Sequence, residues 1–244
     1  AAQAGQAIII QVEGIAGSEN ITYFSLLSNG EHVLDSGLNA ESFVSQRVIV
    51  KSTDSLEKYT ILIRDKNFQE TRLEFNISLL PTLVYGNIRT LTFELGAQSN
   101  TTLGSFYDLF SDQVYTLSEA YNNQDSVQML YFYDPSEEST IASPNANIDS
   151  TIFGGAYQLP NWTTRNEIRY VMLTITQQDF DQCQNNSLII SNLFQYATGK
   201  RKAKYLTPGD IYEFSHQGRY GIFYVNAVSG TTAGTINVTI KIQE

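Results

Sequence analysis

Cysteine is nearly absent: Cys183 stands alone in 244 residues. A single thiol forms no intrachain disulfide and builds no cysteine metal site. A nucleophilic cysteine would need a base, and the chain offers only His32 and His216. His32 reads as part of a different domain, so Cys183 is expected to be a semi-buried structural residue. Charge is also scarce. Asp, Glu, Lys and Arg supply 16% of the residues, against roughly 25% in an average soluble domain. Asn, Ser, Thr and Gln take their place. The formal net charge of −10 repels a phosphate backbone, so nucleic acid is not an expected partner. The one basic cluster, Lys200-Arg201-Lys202 with Lys204, reads as a solvated loop rather than an anion or headgroup site. No apolar run reaches the roughly 18 residues that span a bilayer. No signal peptide stands at the start. The opening Ala1-Ala2-Gln3 lacks Met and reads as a mature or trimmed form.

The motifs of common chemistries are missing as well. There is no phosphate-cradling glycine loop, no HExxH, no GxSxG and no His pair at metal spacing. Gly14-Ile15-Ala16-Gly17 holds two turn glycines and nothing more. Asp134, Glu137, Glu138, Asp149, Glu167, Asp179 and Asp181 are the carboxylates available for glycosidase work. A hydrolase needs two of them across one cleft, whereas Asp in turns has backbone reasons to be there. The chain is therefore read as a non-enzyme without cofactor. Asp179-Phe180-Asp181 and the run Asp134–Glu138 have oxygens for calcium but not the spaced ligand series of an EF-hand. Both read as solvated acidic turns.

What the chain does hold is aromatic residues and alternation. Tyr and Phe number 15 and 13, a lean towards β structure. From Gly209 to Ile242 three antiparallel strands follow one another. Ile236, Val238, Ile240 and Ile242 alternate with Thr235, Asn237, Thr239 and Lys241, giving one buried and one wet face. Gly218 and Gly230/Gly234 mark the reversals. The middle strand, Tyr220–Val228, is apolar on both faces, as an inner strand should be.

The same logic divides the chain. Residues 1–80 read as an immunoglobulin-like β-sandwich, with strands at Ala7–Glu13, Ile21–Ser28, Glu31–Asp35, Phe43–Lys51, Tyr59–Asp65 and Thr71–Leu79. Ser28-Asn29-Gly30 signals a tight hairpin. Tyr59, Ile61 and Ile63 are expected inside, as are Leu73, Phe75, Ile77 and Leu79. Leu80-Pro81-Thr82 is the expected hinge. Residues 81–244, opening at Leu83, read as a larger antiparallel sandwich or open barrel-like domain. Its strands are expected at Ile88–Leu95, Gly104–Phe110, Gln113–Thr116, Ser126–Tyr133 and Arg169–Thr176, before the terminal three. Ser118–Asn123 reads as a polar connection and residues 134–166 as a long irregular region, the kind that often carries function. Thr176-Gln177-Gln178-Asp179 has capping-box spacing and announces a helical turn or two before Ser187–Asn192.

Within the long loop, Tyr157, Asn161, Trp162, Arg165 and Asn166 form the candidate ligand-binding group. Flat aromatic faces flanked by amides and a guanidinium suit a sugar. Trp162 has a second reading, a loop anchor plugging the end of the sandwich, and that one is favoured because buried aromatics dominate core energetics. A lipid held between the sheets is a separate possibility. Sequons at Asn20, Asn76, Asn100, Asn161, Asn185 and Asn237 matter only in a eukaryotic secretory pathway.

Several stretches of the second domain carry a family likeness. They are Val114-Tyr115-Thr116-Leu117-Ser118-Glu119-Ala120, Ser126-Val127-Gln128-Met129-Leu130-Tyr131-Phe132-Tyr133-Asp134, Ile141-Ala142-Ser143-Pro144, Trp162 with Arg165-Asn166, Phe180-Asp181, and Gly218-Arg219-Tyr220-Gly221-Ile222-Phe223-Tyr224-Val225. In these the chain resembles the C-terminal domains of exported lipoproteins of gut-type Bacteroidales. The first domain is similar to the immunoglobulin-like modules that often precede them. The resemblance implies a bacterial cell-envelope protein, outer-membrane-anchored or at the cell surface. Its only membrane contact would be an N-terminal lipid anchor, whose cysteine this chain lacks. No site residue comes over from the family. The expected function is non-enzymatic binding of a glycan or an apolar lipid ligand. A structural or adhesive role through protein contacts is the alternative, and a glycoside hydrolase ranks third.

Overall fold

Alternating burial runs along the first strand, β1 (Ala7–Ile15), where Ile10 and Val12 are buried and Gln11 and Glu13 face out. The computed structural model describes residues 1–81, 84–195 and 197–244, so part of the expected hinge, Thr82, and the expected domain start, Leu83, lie outside the described residues. Ala1–Tyr85 with Gln195–Ala197 form one unit, and Gly86–Phe194 with Thr198–Glu244 the other. All four sheets are antiparallel, and none closes into a barrel.

The N-terminal unit is a sandwich. Strand β1 pairs with β4 (Ser42–Val50) in a two-stranded sheet. The second sheet runs β3 (Glu31–Ala40), β2 (Ile21–Ser28), β5 (Leu56–Asp65), β6 (Glu70–Ser78). Ile10, Val12 and Ile49 from the small sheet meet Phe24, Leu26, Tyr59, Ile61 and Ile77 from the large one. Asn29 and Gly30 both take positive φ, 50° and 88°, as the two-residue β2–β3 hairpin requires. One expectation fails here. Leu73 is exposed, because β6 is an edge strand and the facing β1–β4 sheet is only two strands wide.

The C-terminal unit stacks two five-stranded sheets. One contains β8 (Phe106–Asp108), β9 (Gln113–Tyr115), β10 (Met129–Asp134), β11 (Glu138–Ala142) and β13 (Lys202–Ala203). The other contains β7 (Ile88–Gly96), β12 (Arg169–Met172), β14 (Ile211–His216), β15 (Arg219–Ser229) and β16 (Thr235–Gln243). Ile236, Val238, Ile240 and Ile242 are buried in the core between them, as their alternation predicts. Phe93 stacks on Tyr107 across that core at 3.6 Å between centroids. A second core lies on the other face of the first sheet, where Phe106, Leu130 and Phe132 meet Ala120, Phe153 and Trp162.

Three stretches differ from their sequence reading. The connection at Ser118–Asn123 is a helix, α1 (Leu117–Asn122), started by a capping box between Thr116 and Glu119. The irregular region 134–166 contains β11, which completes a hairpin with β10. Strand β10 begins at Met129, because Gln124–Ser126 is a 3₁₀ turn. Val127 consequently joins the outer core rather than the inner one with Met129. The expected helical turn is α2 (Gln177–Gln182), with Thr176 and Asp179 forming its capping box. Helix α3 (Ser187–Ser191) follows and buries Ile189 and Ile190.

Candidate functional site

Four segments far apart in sequence meet around an open cleft of about 370 Å³ in the C-terminal unit. The end of β8 and the turn after it bring Asp108, Phe110 and Ser111; the 3₁₀ turn and the link from it to β10 bring Asp125, Ser126 and Gln128. Asn166 comes from the loop before β12, and His216 and Gln217 from the β14–β15 hairpin. Residues that depend on long-range strand register for their meeting leave no local motif. Of the five residues that sequence reasoning singled out, only Asn166 lines this cleft.

The walls are fixed by hydrogen bonds. Buried Asp108 accepts from Phe110 N at 2.9 Å and Ser111 N at 3.1 Å through Oδ1, and from Ser111 Oγ at 2.6 Å through Oδ2. Arg89 donates to the carbonyls of Leu109 and Phe110 and ties the same turn to β7. Gln128 is buried and accepts from Leu109 N at 2.8 Å. Its Nε2 has no hydrogen-bond partner among the described residues. Asn166 spends its amide on the carbonyls of Gln124, Asp125 and Val127 at 3.3, 2.9 and 2.8 Å. That anchors the 3₁₀ turn, so Asn166 positions the wall more than it offers a donor. On the far side, Gln217 and Gly218 take φ of 49° and 80°, the positive pair that a tight hairpin demands.

His216 supplies the titratable group. Its Nδ1 lies 3.0 Å from Glu167 O. A carbonyl only accepts, so Nδ1 carries the hydrogen and neutral His216 keeps Nε2 as an acceptor. Burial lowers its pKa below the ordinary 6.5, the Glu167 bond acts against that, and the Arg219 charge adds to the lowering. The ring is therefore neutral at pH 7. Phe110 lies between these groups, 6.0 Å from His216 by centroids and beneath the Arg219 guanidinium at 5.3 Å. The cleft thus combines an acceptor imidazole, amides, carboxylates and one partly exposed ring.

The other candidates lie elsewhere. Trp162 is buried, 5% exposed, and packs on Phe106 at 5.5 Å. Its Nε1 donates to Tyr157 O at 2.9 Å. Its ring has no face free for a sugar; its packing is that of an anchor. Asn161 donates to Ala156 O at 2.9 Å. Tyr157 and Arg165 are exposed. Carboxylates considered for catalysis are spent on structure: Asp134 accepts from Ser136, Asp149 from Thr151, and Asp179 from Thr176. Glu137 pairs with Lys202 and Lys204, and Glu167 with Arg169 and Arg201. The basic cluster is thereby largely neutralised. Among the described residues no three His, Cys, Asp or Glu gather as a metal site would require.

A Ser–His–Asp group does form in the N-terminal unit. His32 Nδ1 lies 2.9 Å from both Ser25 Oγ and Asp35 Oδ1, and Tyr23 donates to the same Asp35 oxygen at 2.6 Å. A relay needs the serine and the carboxylate on opposite ring nitrogens. Here one nitrogen meets both, so the group is a surface hydrogen-bond cluster.

One further acid stands apart. Glu213 on β14 is fully buried, neither oxygen has a hydrogen-bond partner, and burial pushes its pKa up to about 9. It is in register with Ile222, which is in register with Lys241, so Glu213 and Lys241 share one face of the sheet. Lys241 Nζ donates instead to the carbonyls of Phe180, Asp181 and Cys183 at 2.7, 3.2 and 2.8 Å. Cys183, expected to be semi-buried, is buried there, its thiol pKa raised by burial.

No family model and no curated protein matches the sequence. Among solved structures the chain is similar to a DUF4466 family protein from Parabacteroides merdae ATCC 43184, with 10% identity over 99% of this chain and 93% of that one, at a TM-score of 0.48.

Proposed function

We propose that this chain is a non-enzymatic binding module of the bacterial cell envelope, anchored at the outer membrane or displayed at the surface, and that its ligand is a glycan. The cleft holding Asp108, Asp125, Gln128, His216 and Gln217 around Phe110 carries the reading. Its volume suits a sugar unit, and small-molecule sites pair a few fixed polar groups with an apolar surface. Sugar hydroxyls both donate and accept, which matches an acceptor Nε2 on His216 beside the donor amide of Gln128. The lipid branch has less support, since aromatic side chains fill the space between the sheets. A catalytic role has less still: Asp108 is saturated by its own turn. The envelope setting rests on the sequence resemblance.

Calorimetric titration of the intact chain with glucose, galactose, mannose and N-acetylglucosamine tests this. One sugar should bind saturably, and Gln128→Ala or His216→Ala should weaken it by about tenfold, the usual worth of one good polar contact. Binding should also weaken on acidification, as His216 gains a second proton and its Nε2 turns from acceptor to donor. Indifference to every sugar, with fatty acid binding in its place, would overturn the glycan reading in favour of the lipid branch.

An adhesive role has one observation of its own. Strands β1 and β4 pair only with each other among the described residues, and Ile9, Ile15 and Val44 are exposed on them. Unpaired apolar edges invite strand addition. Concentration-dependent association, abolished by Ile9→Lys, would favour this reading.

A further inference from the structure

We infer that Tyr121 and Tyr157 form a stacking subsite that continues the cleft, so that the ligand is a glycan chain rather than a single sugar. The inference rests on the glycan reading above. The two rings lie 5.2 Å apart at a 48° tilt, and Tyr157 is 44% exposed. Neither hydroxyl bonds to another described residue. A tyrosine ring offers an apolar face with a polar tip, and a sugar offers the matching pair, a C–H face rimmed by hydroxyls.

The pair is held rigidly, which limits the entropy lost on binding. Buried Trp162 fixes the backbone of Tyr157 through its indole N–H. Gln124 Oε1 accepts from Thr163 N at 2.7 Å and Thr164 N at 3.0 Å, clamping the same loop. The sequence contributed an aromatic loop with one Trp. In the structure Trp162 is the fixing point, and the exposed ring is the one it fixes.

Gln124 also ties the pair to the cleft. It opens the 3₁₀ turn whose Asp125 and Ser126 line the cleft wall. Tyr121 sits in the last turn of α1, four residues before Asp125. Gln124 Nε2 donates to Tyr121 O at 2.8 Å, so the end of α1 that carries the ring is bonded directly to the turn that forms the cleft wall. A chain seated in the cleft therefore reaches the rings with its next residues.

The experiment compares ligand length. The intact chain is titrated with the four monosaccharides named above and the trisaccharide of each. The trisaccharide of the bound sugar should bind about three- to tenfold tighter, the worth of one or two ring contacts. Tyr157→Ala and, separately, Tyr121→Ala should abolish that gain and leave monosaccharide affinity unchanged. Trp162 is the only indole, so retained blue emission certifies the loop. Where Tyr157→Ala shifts it to the red, Tyr157→Leu keeps the bulk without the ring. Monosaccharide binding with no gain from length, or a gain that survives both substitutions, overturns this inference and leaves the cleft reading intact. Failure of every sugar at both lengths overturns the two together.

Discussion

The two units bury charge in opposite ways. In the N-terminal unit Lys51 and Glu57 are buried together at 3.3 Å. Lys51 also donates to the carbonyls of Ser52 and Asp54, and Glu57 accepts from Ser52 N and Tyr59 OH. In the C-terminal unit Glu213 is buried with no partner, although Lys241 lies on the same face one strand beyond its neighbour. At roughly 4.8 Å per strand that lysine is about 10 Å away, and its three carbonyl bonds hold the end of α2 instead. An ion survives burial when its partners travel with it, and a lone carboxyl survives by keeping its proton.

Breaking the paired site should have the largest effect. Lys51→Met leaves the Glu57 charge buried without its cation and should cost about 3–5 kcal/mol. Denaturant unfolding and amide exchange in β4 and β5 would show it; a loss below about 1 kcal/mol would mean the pair is structurally idle. Relieving the unpaired site should act in the opposite direction. Glu213→Leu removes a buried polar group that bonds to nothing and should stabilise by about 1–3 kcal/mol. It should also flatten a pH dependence. The folded pKa of about 9 lies above the ordinary 4.5, so the folded state keeps a proton that the unfolded state releases. Stability is complete below about 4.5 and falls as pH rises, by about 1.4 kcal/mol per unit at most, until the folded group also ionises near 9. Unfolding measured from pH 6 to 10 should slope downward in the parent and less so in the variant. The smallest effect concerns the helix at which Lys241 ends. Thr176→Ala removes the capping box of α2 and should cost about 1 kcal/mol, seen as faster exchange across α2 with β4 and β5 unchanged.

Sequence patterns disclosed this molecule where burial is one-sided. The Ile236–Ile242 alternation and the Asn29-Gly30 turn each report a local physical demand, and both lie where they point. Strand β11 escaped because four of its five residues are buried, which erases alternation. Helix α1 escaped because it buries only Ala120 and so has no 3.6-residue period; its capping spacing, Thr116 to Glu119, was the one readable signal. The cleft was invisible for a different reason. Asp108 and Gln128 lie by one sheet and His216 on the other, and no local window contains the stacking that brings them together. Trp162 was conspicuous by its rarity, but rarity does not say which way a ring points.

The pairing of β7 with β16 has a mechanical consequence. Ile88 opposes Gln243, and Glu244 N reaches Asn87 O at 3.3 Å. Residues 87 and 244 thus lie at the same end of one antiparallel ladder. Tension applied between residues 87 and 244 would load those bonds one after another, as in peeling tape, rather than all at once in shear. Strand β7, an edge strand with one ladder where β16 has two, would come away first and expose its Leu91, Phe93 and Leu95 face at low force. Under that loading the unit yields one strand at a time from its β7 edge.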